Sequence, residues 1–263
     1  MTTGAYGADD YVVFCEGVRS LAGIDLLQYK RGQMERRLRT FAQRKGISKL
    51  VDYLSLLTSD SDELDRFLDR VTINVSQLYR NPEQWTVLAK HVLPELAETG
   101  RIKIWSAGCS NGAEVFTLAA LCLEHTKGVR VEIRGTDIDM RVLAKAREAR
   151  FSLEDARTAP PRTLERYFTR TEDGWQAKPE LRSIVTFEQG DLLRMRFPER
   201  AYDIVLCRNV VIYFNEPVRD ELHKKLAAAT RSGGYFVVGA TERVSSPSEI
   251  DLAPAHPFTY RKV

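Results

Sequence analysis

The sequence has little cysteine and little histidine. Cys15, Cys109, Cys122 and Cys207 lie far apart and form no C-x-x-C pair, and the four histidines include no H-x-x-x-H. Zinc ribbons, dithiol centres and disulfide frameworks need closer or regular spacing, so reduced thiols and no bound metal are expected. No apolar run approaches the roughly 20 residues that cross a bilayer. The opening M-T-T-G-A-Y-G-A-D-D has neither a basic start nor an apolar run, so a cytoplasmic protein without direct membrane insertion is expected. Charge of one sign is also missing: 39 basic and 36 acidic residues leave a net +3, which speaks against a uniform polyanion-binding surface.

What is present is a chain of 263 residues, 43% hydrophobic, enough for one large or two modest domains. Its organising stretch is Arg101 to Thr117, R-I-K-I-W-S-A-G-C-S-N-G-A-E-V-F-T. Ile102, Ile104 and Trp105 suit a strand, Ser106 to Gly112 a tight loop, and Ala113 onward a helix. Gly108 and Gly112 permit positive φ and close approach to a ligand, beside the unpaired N–H groups of the helix start. The loop is neither G-x-x-x-x-G-K-[ST] nor G-x-G-x-x-G, since Ala113 and Glu114 stand where a phosphate loop carries Lys and Ser/Thr. An acid at the helix start repels pyrophosphate and can hold an ammonium, which favours a ligand bearing an amino acid.

Residues 11–70 read as helical. Ile24, Leu27, Met34, Leu38 and Phe41 recur at helical spacing, with Arg36 and Arg39 opposite and Arg37 and Arg44 flanking. Residues 30–49 hold eight basic residues against Glu35, a net +7; residues 50–70 hold six acids against Arg66 and Arg70, a net −4. Such a run is either a solvated face or a docking surface for an acidic partner. No stacking segment or RNA-binding motif accompanies it, so no nucleic-acid partner is expected. V-T-I-N-V-S-Q-L-Y-R-N-P follows at 71–82, where Asn74, Ser76 and Arg80 supply an amide, a hydroxyl and a fixed cation, and Pro82 suits the first turn of a helix.

Beyond residue 101, strands are expected at 102–107, 129–136, 184–188, 202–207, 234–240 and 258–262, with helices at about 113–125, 139–149 and 216–231. That alternation implies a doubly wound, mostly parallel sheet that binds its ligand beyond the strands' carboxyl ends. Asp137 follows the second strand, where an acid can accept both ribose hydroxyls. Gly190, Asp191 and Leu192 follow the third, where they could read an adenine edge; Arg208, Asn209, Val210 and Tyr213 follow the fourth. The stretch from Phe151 is long for a crossover, and Asp173-Gly174 marks a hairpin, so a small inserted β subdomain is expected at about 151–182.

T-I-N-V-S-Q-L-Y-R-N, W-S-A-G-C-S-N-G-A-E, T-D-I-D, C-R-N-V-V-I-Y-F and G-G-Y-F-V-V-G-A-T-E together resemble the chemotaxis receptor methyltransferase family, CheR, over almost the whole chain. The resemblance implies an all-helical N-terminal domain (1–72), a linker and leading helix (73–100), and a class I methyltransferase domain (101–263) using S-adenosylmethionine. It implies cofactor contacts from Asn74, Ser76, Arg80, Gly108, Glu114, Asp137, Asp191, Leu192, Asn209 and Val210. Ser76 stands where the common pattern has Thr, Leu78-Tyr79 where it has two Phe, Asp191 where it has Asn, and Ala113 where it has an acid.

The implied activity is protein-glutamate O-methylation of chemotaxis receptors; the alternative is an S-adenosylmethionine-binding signalling module with weakened catalysis. A glutamate of pKa about 4.3 is already an anion at neutral pH, so the chemistry needs alignment and exclusion of water rather than a general base. Arg80 and Tyr213 are the candidates for orienting that carboxylate. The expected partner is the cytoplasmic helical domain of a receptor, docked on Arg36, Arg39 and Arg44 of a monomer.

Overall fold

A computed structural model describes residues 9–71 and 76–263, which divide into two compact units. One contains residues 9–71 and 213–218, the other 76–212 and 219–263.

The first unit has helices α1 (Asp10–Ala22), α2 (Arg31–Gln43), α3 (Leu50–Ser59) and α4 (Ser61–Val71). Asp9 caps α1 by accepting the Tyr11 N–H, and Gly23 ends it in the left-handed region. The apolar faces meet around an aromatic centre, where Phe14 stacks on Tyr53 at 5.9 Å and Phe67 meets both edge-on. Met34, Leu38 and Phe41 are buried along α2 as their spacing predicts. Farther back the period fails: a 3-10 turn over Leu26–Gln28 intervenes and buries Leu26 in place of Leu27. Glu63 is fully buried yet receives the Tyr53 hydroxyl at 3.1 Å, Lys45 Nζ at 2.6 Å and Arg66 Nε at 2.9 Å. Burial alone would raise its pKa; these donors lower it on balance.

Residues 213–218 join this unit by strand-like pairing. The Lys30 N–H donates to the Tyr213 carbonyl and the Asn215 N–H to the Gln28 carbonyl, both at 2.9 Å. Tyr29 and Phe214 form an antiparallel bridge, their rings edge-on at 5.0 Å.

The second unit opens with α5 (Pro82–Val87), which runs through a π-helical turn at Leu88–Val92 into α6 (Leu93–Ala97). Its strands are β1 (Arg101–Ala107), β2 (Arg130–Asp137), β3 (Arg150–Ser152), β4 (Phe168–Arg170), β5 (Gly174–Ala177), β6 (Val185–Gln189), β7 (Tyr202–Cys207), β8 (Thr230–Val238), β9 (Leu252–His256) and β10 (Thr259–Lys262). Seven form one sheet in the order β6-β2-β1-β7-β8-β10-β9, parallel from β6 to β8, with β10 antiparallel to both its neighbours. All six β7 residues are buried, as befits a strand covered on both faces. Helices α7 (Ala113–His125) and α8 (Met140–Glu148) follow β1 and β2, and α11 (Glu216–Ala229) precedes β8. The chain runs from β1 out to β6 and resumes at β7 on the other side of β1. The order therefore reverses between β1 and β7, and ligands bind beyond the carboxyl ends at that point.

The insertion forms a separate three-stranded antiparallel sheet, β3-β5-β4, with Asp173 and Gly174 at the β4–β5 turn as expected. The short helices α9 (Pro161–Tyr167) and α10 (Pro179–Arg182), and strands β3 and β9, go beyond the sequence expectation. No helix among the described residues is long and apolar enough to cross a membrane.

Candidate active site

Gly108 has φ +83°, and a Cβ there would lie 2.4 Å from Val210 Cγ2, so only glycine lets the loops after β1 and β7 close together. Gly112, at φ +82°, turns the chain into α7. The Gly108 and Cys109 N–H groups donate to the Thr136 carbonyl at 2.8 and 3.0 Å, tying the loop to the end of β2. Asp137 then accepts the Ser110 N–H on one oxygen at 2.8 Å and the Asp139 N–H on the other at 3.1 Å. Its burial pushes its pKa up, against the pull of the Asp139, Ser110 and Ile138 N–H groups. A carboxylate offers about four acceptor positions, so each oxygen can still take a hydroxyl, and the group fits the ribose diol of S-adenosylmethionine.

The Gly190 N–H donates to the Asp137 carbonyl at 2.9 Å, bringing in the loop after β6. There Asp191 accepts the Leu193 N–H at 2.8 Å and Leu192 is buried. After β7, Asn209 takes φ +60° and its N–H donates to Glu242 at 2.8 Å. Gly108, Asp137, Asp191, Leu192, Asn209 and Val210 thus share one edge of the sheet.

Asn74 lies outside the described residues. Ser76 and Arg80 are half-buried in the segment before α5. That segment is held at several points: the Leu78 N–H donates to the Asp155 carbonyl at 2.8 Å, the Tyr79 N–H to Thr117 Oγ1 at 2.9 Å and Trp85 Nε1–H to the Arg80 carbonyl at 2.8 Å. Tyr79 and Asn81 both adopt positive φ, 58° and 59°. Two non-glycine residues so strained within three positions persist only where the surroundings over-determine them, as happens at functional sites. Tyr213 groups with the helical unit, where it lines a groove on α2.

The structure corrects the expectation for Glu114. Its carboxylate accepts Arg208 Nη1 at 2.8 Å and Ser106 Oγ at 2.8 Å, and the Arg208 side chain is only 2% exposed. A carboxylate already neutralised by a buried guanidinium is a poor counter-ion for a second cation. Sequence reasoning assigned no role to three residues that build this site: Arg208, Gln84 and Glu242. Glu242, buried and with its pKa raised by that burial, accepts the N–H groups of Asn209 and Gly239 at 2.8 and 2.6 Å. Its signal was the G-A-T-E that follows β8; that of Arg208 was a charged residue directly after the apolar run of β7.

A switch-point sheet with a glycine loop after β1 and a buried acid ending β2 is the frame of a class I S-adenosylmethionine-dependent methyltransferase. The model of the CheR methyltransferase all-alpha domain matches residues 9–72, and that of the CheR methyltransferase SAM binding domain matches residues 74–257. The chain belongs to the CheR methyltransferase family, and S-adenosylmethionine is its cofactor. A chemotaxis protein methyltransferase of Listeria innocua is 33% identical over 256 residues, 96% of this chain and 97% of its own. Those of Borreliella burgdorferi and Pseudomonas aeruginosa are 29% identical, covering 91% and 94% of this chain and 89% and 95% of their own.

Proposed function

We propose that this chain methylates glutamate side chains of chemotaxis receptors, giving glutamyl methyl esters. When bound, S-adenosylmethionine supplies an electrophilic methyl group on a sulfonium. The observation that carries the substrate class is a groove of about 470 Å³ on the helical unit, with Lys30, Arg36, Arg37 and Arg44 among its lining residues and no acid. Its apolar surface comes from Tyr29, Met34, Phe41 and Tyr213. An amphipathic helix rich in glutamate matches both features. Arg39 leaves the expected docking set, because it is paired with Asp10 at 2.8 Å and Glu35 at 2.7 Å. Arg36 and Arg44 remain, with Lys30 and Arg37 added.

In this reading Asp137 holds the ribose, Asp191 and Leu192 the adenine side, Gly108, Asn209 and Val210 the loop edge, and Asn74 and Ser76 the linker side. Arg80 orients the accepting carboxylate and Tyr213 contacts the receptor in the groove. Neutralisation of Glu114 favours one rival, a binding module with weakened catalysis. Incubation with methyl-labelled cofactor and receptor fragments separates them. Base-labile label on receptor glutamates supports the enzyme; product binding without transfer supports the module, and label on nucleic acid alone refutes both.

Asp137→Ala is expected to weaken binding of the demethylated product by about 1.5–3 kcal/mol, through loss of a charge-assisted ribose contact. Unchanged affinity by calorimetry refutes the ribose assignment. The double variant Arg36→Glu/Arg44→Glu is expected to raise receptor KM about tenfold at low salt, to flatten its salt dependence and to leave product affinity intact. A KM equal to that of the parent across low and moderate salt means that the groove is only a solvated face.

A further inference from the structure

The segment before α5 carries Arg80, yet what fixes it lies far away in sequence. The Arg208 guanidinium donates from Nε and Nη2 to Gln84 Oε1 at 3.0 and 2.8 Å, and from Nη2 to the Arg80 carbonyl at 2.8 Å and Asn81 Oδ1 at 3.3 Å. From Nη1 it reaches Glu114 at 2.8 Å, and its plane lies over the Trp85 ring, 4.6 Å from the centroid. One buried cation therefore joins the end of β7, the first turn of α7 and the strained turn at Arg80–Asn81. Lysine could not reproduce this: it lacks the planar fork that serves Gln84, Glu114 and the Arg80 carbonyl at once.

We propose that Arg208 is a positioning residue for Arg80, with Glu114 setting its charge and Gln84 its orientation. Trp85 and Arg208 converge on the same Arg80 carbonyl, so the backbone that aims the Arg80 side chain is held from two directions. Glu114 is then the counter-ion of this device, which accounts for a half-buried acid at the start of α7 without a ligand. The proposal rests on the reading of Arg80 given above.

Two measurements on the full chain test it. Amide hydrogen exchange followed by mass spectrometry should show faster exchange in residues 76–85 for Arg208→Lys, with β1 and β2 unchanged. Turnover of receptor should fall about tenfold while product affinity stays within about threefold, and Arg80→Ala/Arg208→Lys should be no slower than Arg80→Ala alone within about twofold, since both act through one side chain. Unaltered exchange in 76–85, or losses that multiply in the double variant, overturns the proposal. If Arg80→Ala leaves turnover intact, the reading of Arg80 is what fails. The exchange result alone then decides whether Arg208 holds the segment: faster supports it, unchanged refutes it. Should Arg208→Lys not fold, Gln84→Glu keeps the Glu114 ion pair and both acceptor contacts to Arg208 while removing only the Nε2–H bond to the Val238 carbonyl, and Gln84→Met removes all three; the exchange and turnover changes that Gln84→Met shows beyond Gln84→Glu are read by the same two measurements.

Discussion

Glu114→Gln is expected to lower the unfolding free energy by about 3 kcal/mol, the cost of stripping the half-buried partner from a buried guanidinium. The amide keeps the shape and the Ser106 contact but leaves Arg208, only 6% exposed overall, without its ion-pair partner. The desolvation cost of a lone guanidinium outweighs the modest net value of any one hydrogen bond in the cluster. Urea unfolding at neutral pH measures the loss, and Glu114→Leu/Arg208→Met supplies the contrast. Removing both charges together should cost less than removing the carboxylate alone. A loss under about 1 kcal/mol for Glu114→Gln would show that water reaches the guanidinium and that the pair behaves like a surface one.

The second large effect depends on pH. His223 on α11 is 1% exposed, packs against the Phe236 ring, and has no hydrogen-bond partner on either ring nitrogen. Burial first and the Arg219 charge second push its pKa down to about 4, with Asp220 opposing. An unfolded histidine titrates near 6.5, so between those values the unfolded chain binds a proton that the folded chain refuses. Stability contributed here is complete above about pH 6.5 and is lost as pH falls through the window, by up to about 3 kcal/mol at pH 4. His223→Leu removes the titration, so its advantage over the parent should widen steadily from pH 6.5 to 4. Unfolding curves that remain parallel over that range would mean that the imidazole finds a proton partner in the folded state.

Features that depend on neighbours in sequence were legible before the fold was known. The strand, glycine loop and helix from Arg101 onward follow from apolar spacing and two glycines, and the inserted hairpin from one Asp-Gly pair. Short elements were not legible: β9 is Leu-Ala-Pro-Ala-His, whose proline reads as loop, and β3 has only three residues. The period through Leu27 broke because a 3-10 turn changes the angular spacing before α2 begins. Pairings across long separations escaped altogether. Glu114 and Arg208 stand 94 positions apart, and no periodicity can show that an acid at a helix start is already matched. Arg39 was hidden in the same way, since a run of like charge conceals which member folds back onto Asp10.

The pairing of residues 213–218 with Gln28–Lys30 bears on how the chain is made. A polypeptide emerging N-terminus first leaves the Gln28 carbonyl and the Lys30 N–H without these partners until Asn215 has been synthesised, well after all four helices of that unit are available. Its completion therefore waits for β7, and the loop closed late in this way is of high contact order, the kind that folds slowly. The same arrangement limits genetic exchange. A fragment cut after α4 loses an edge segment with the nearly buried Phe214, and a fragment beginning there carries that segment with nothing to pair against. Either fragment therefore carries one half of a pairing whose other half it lacks.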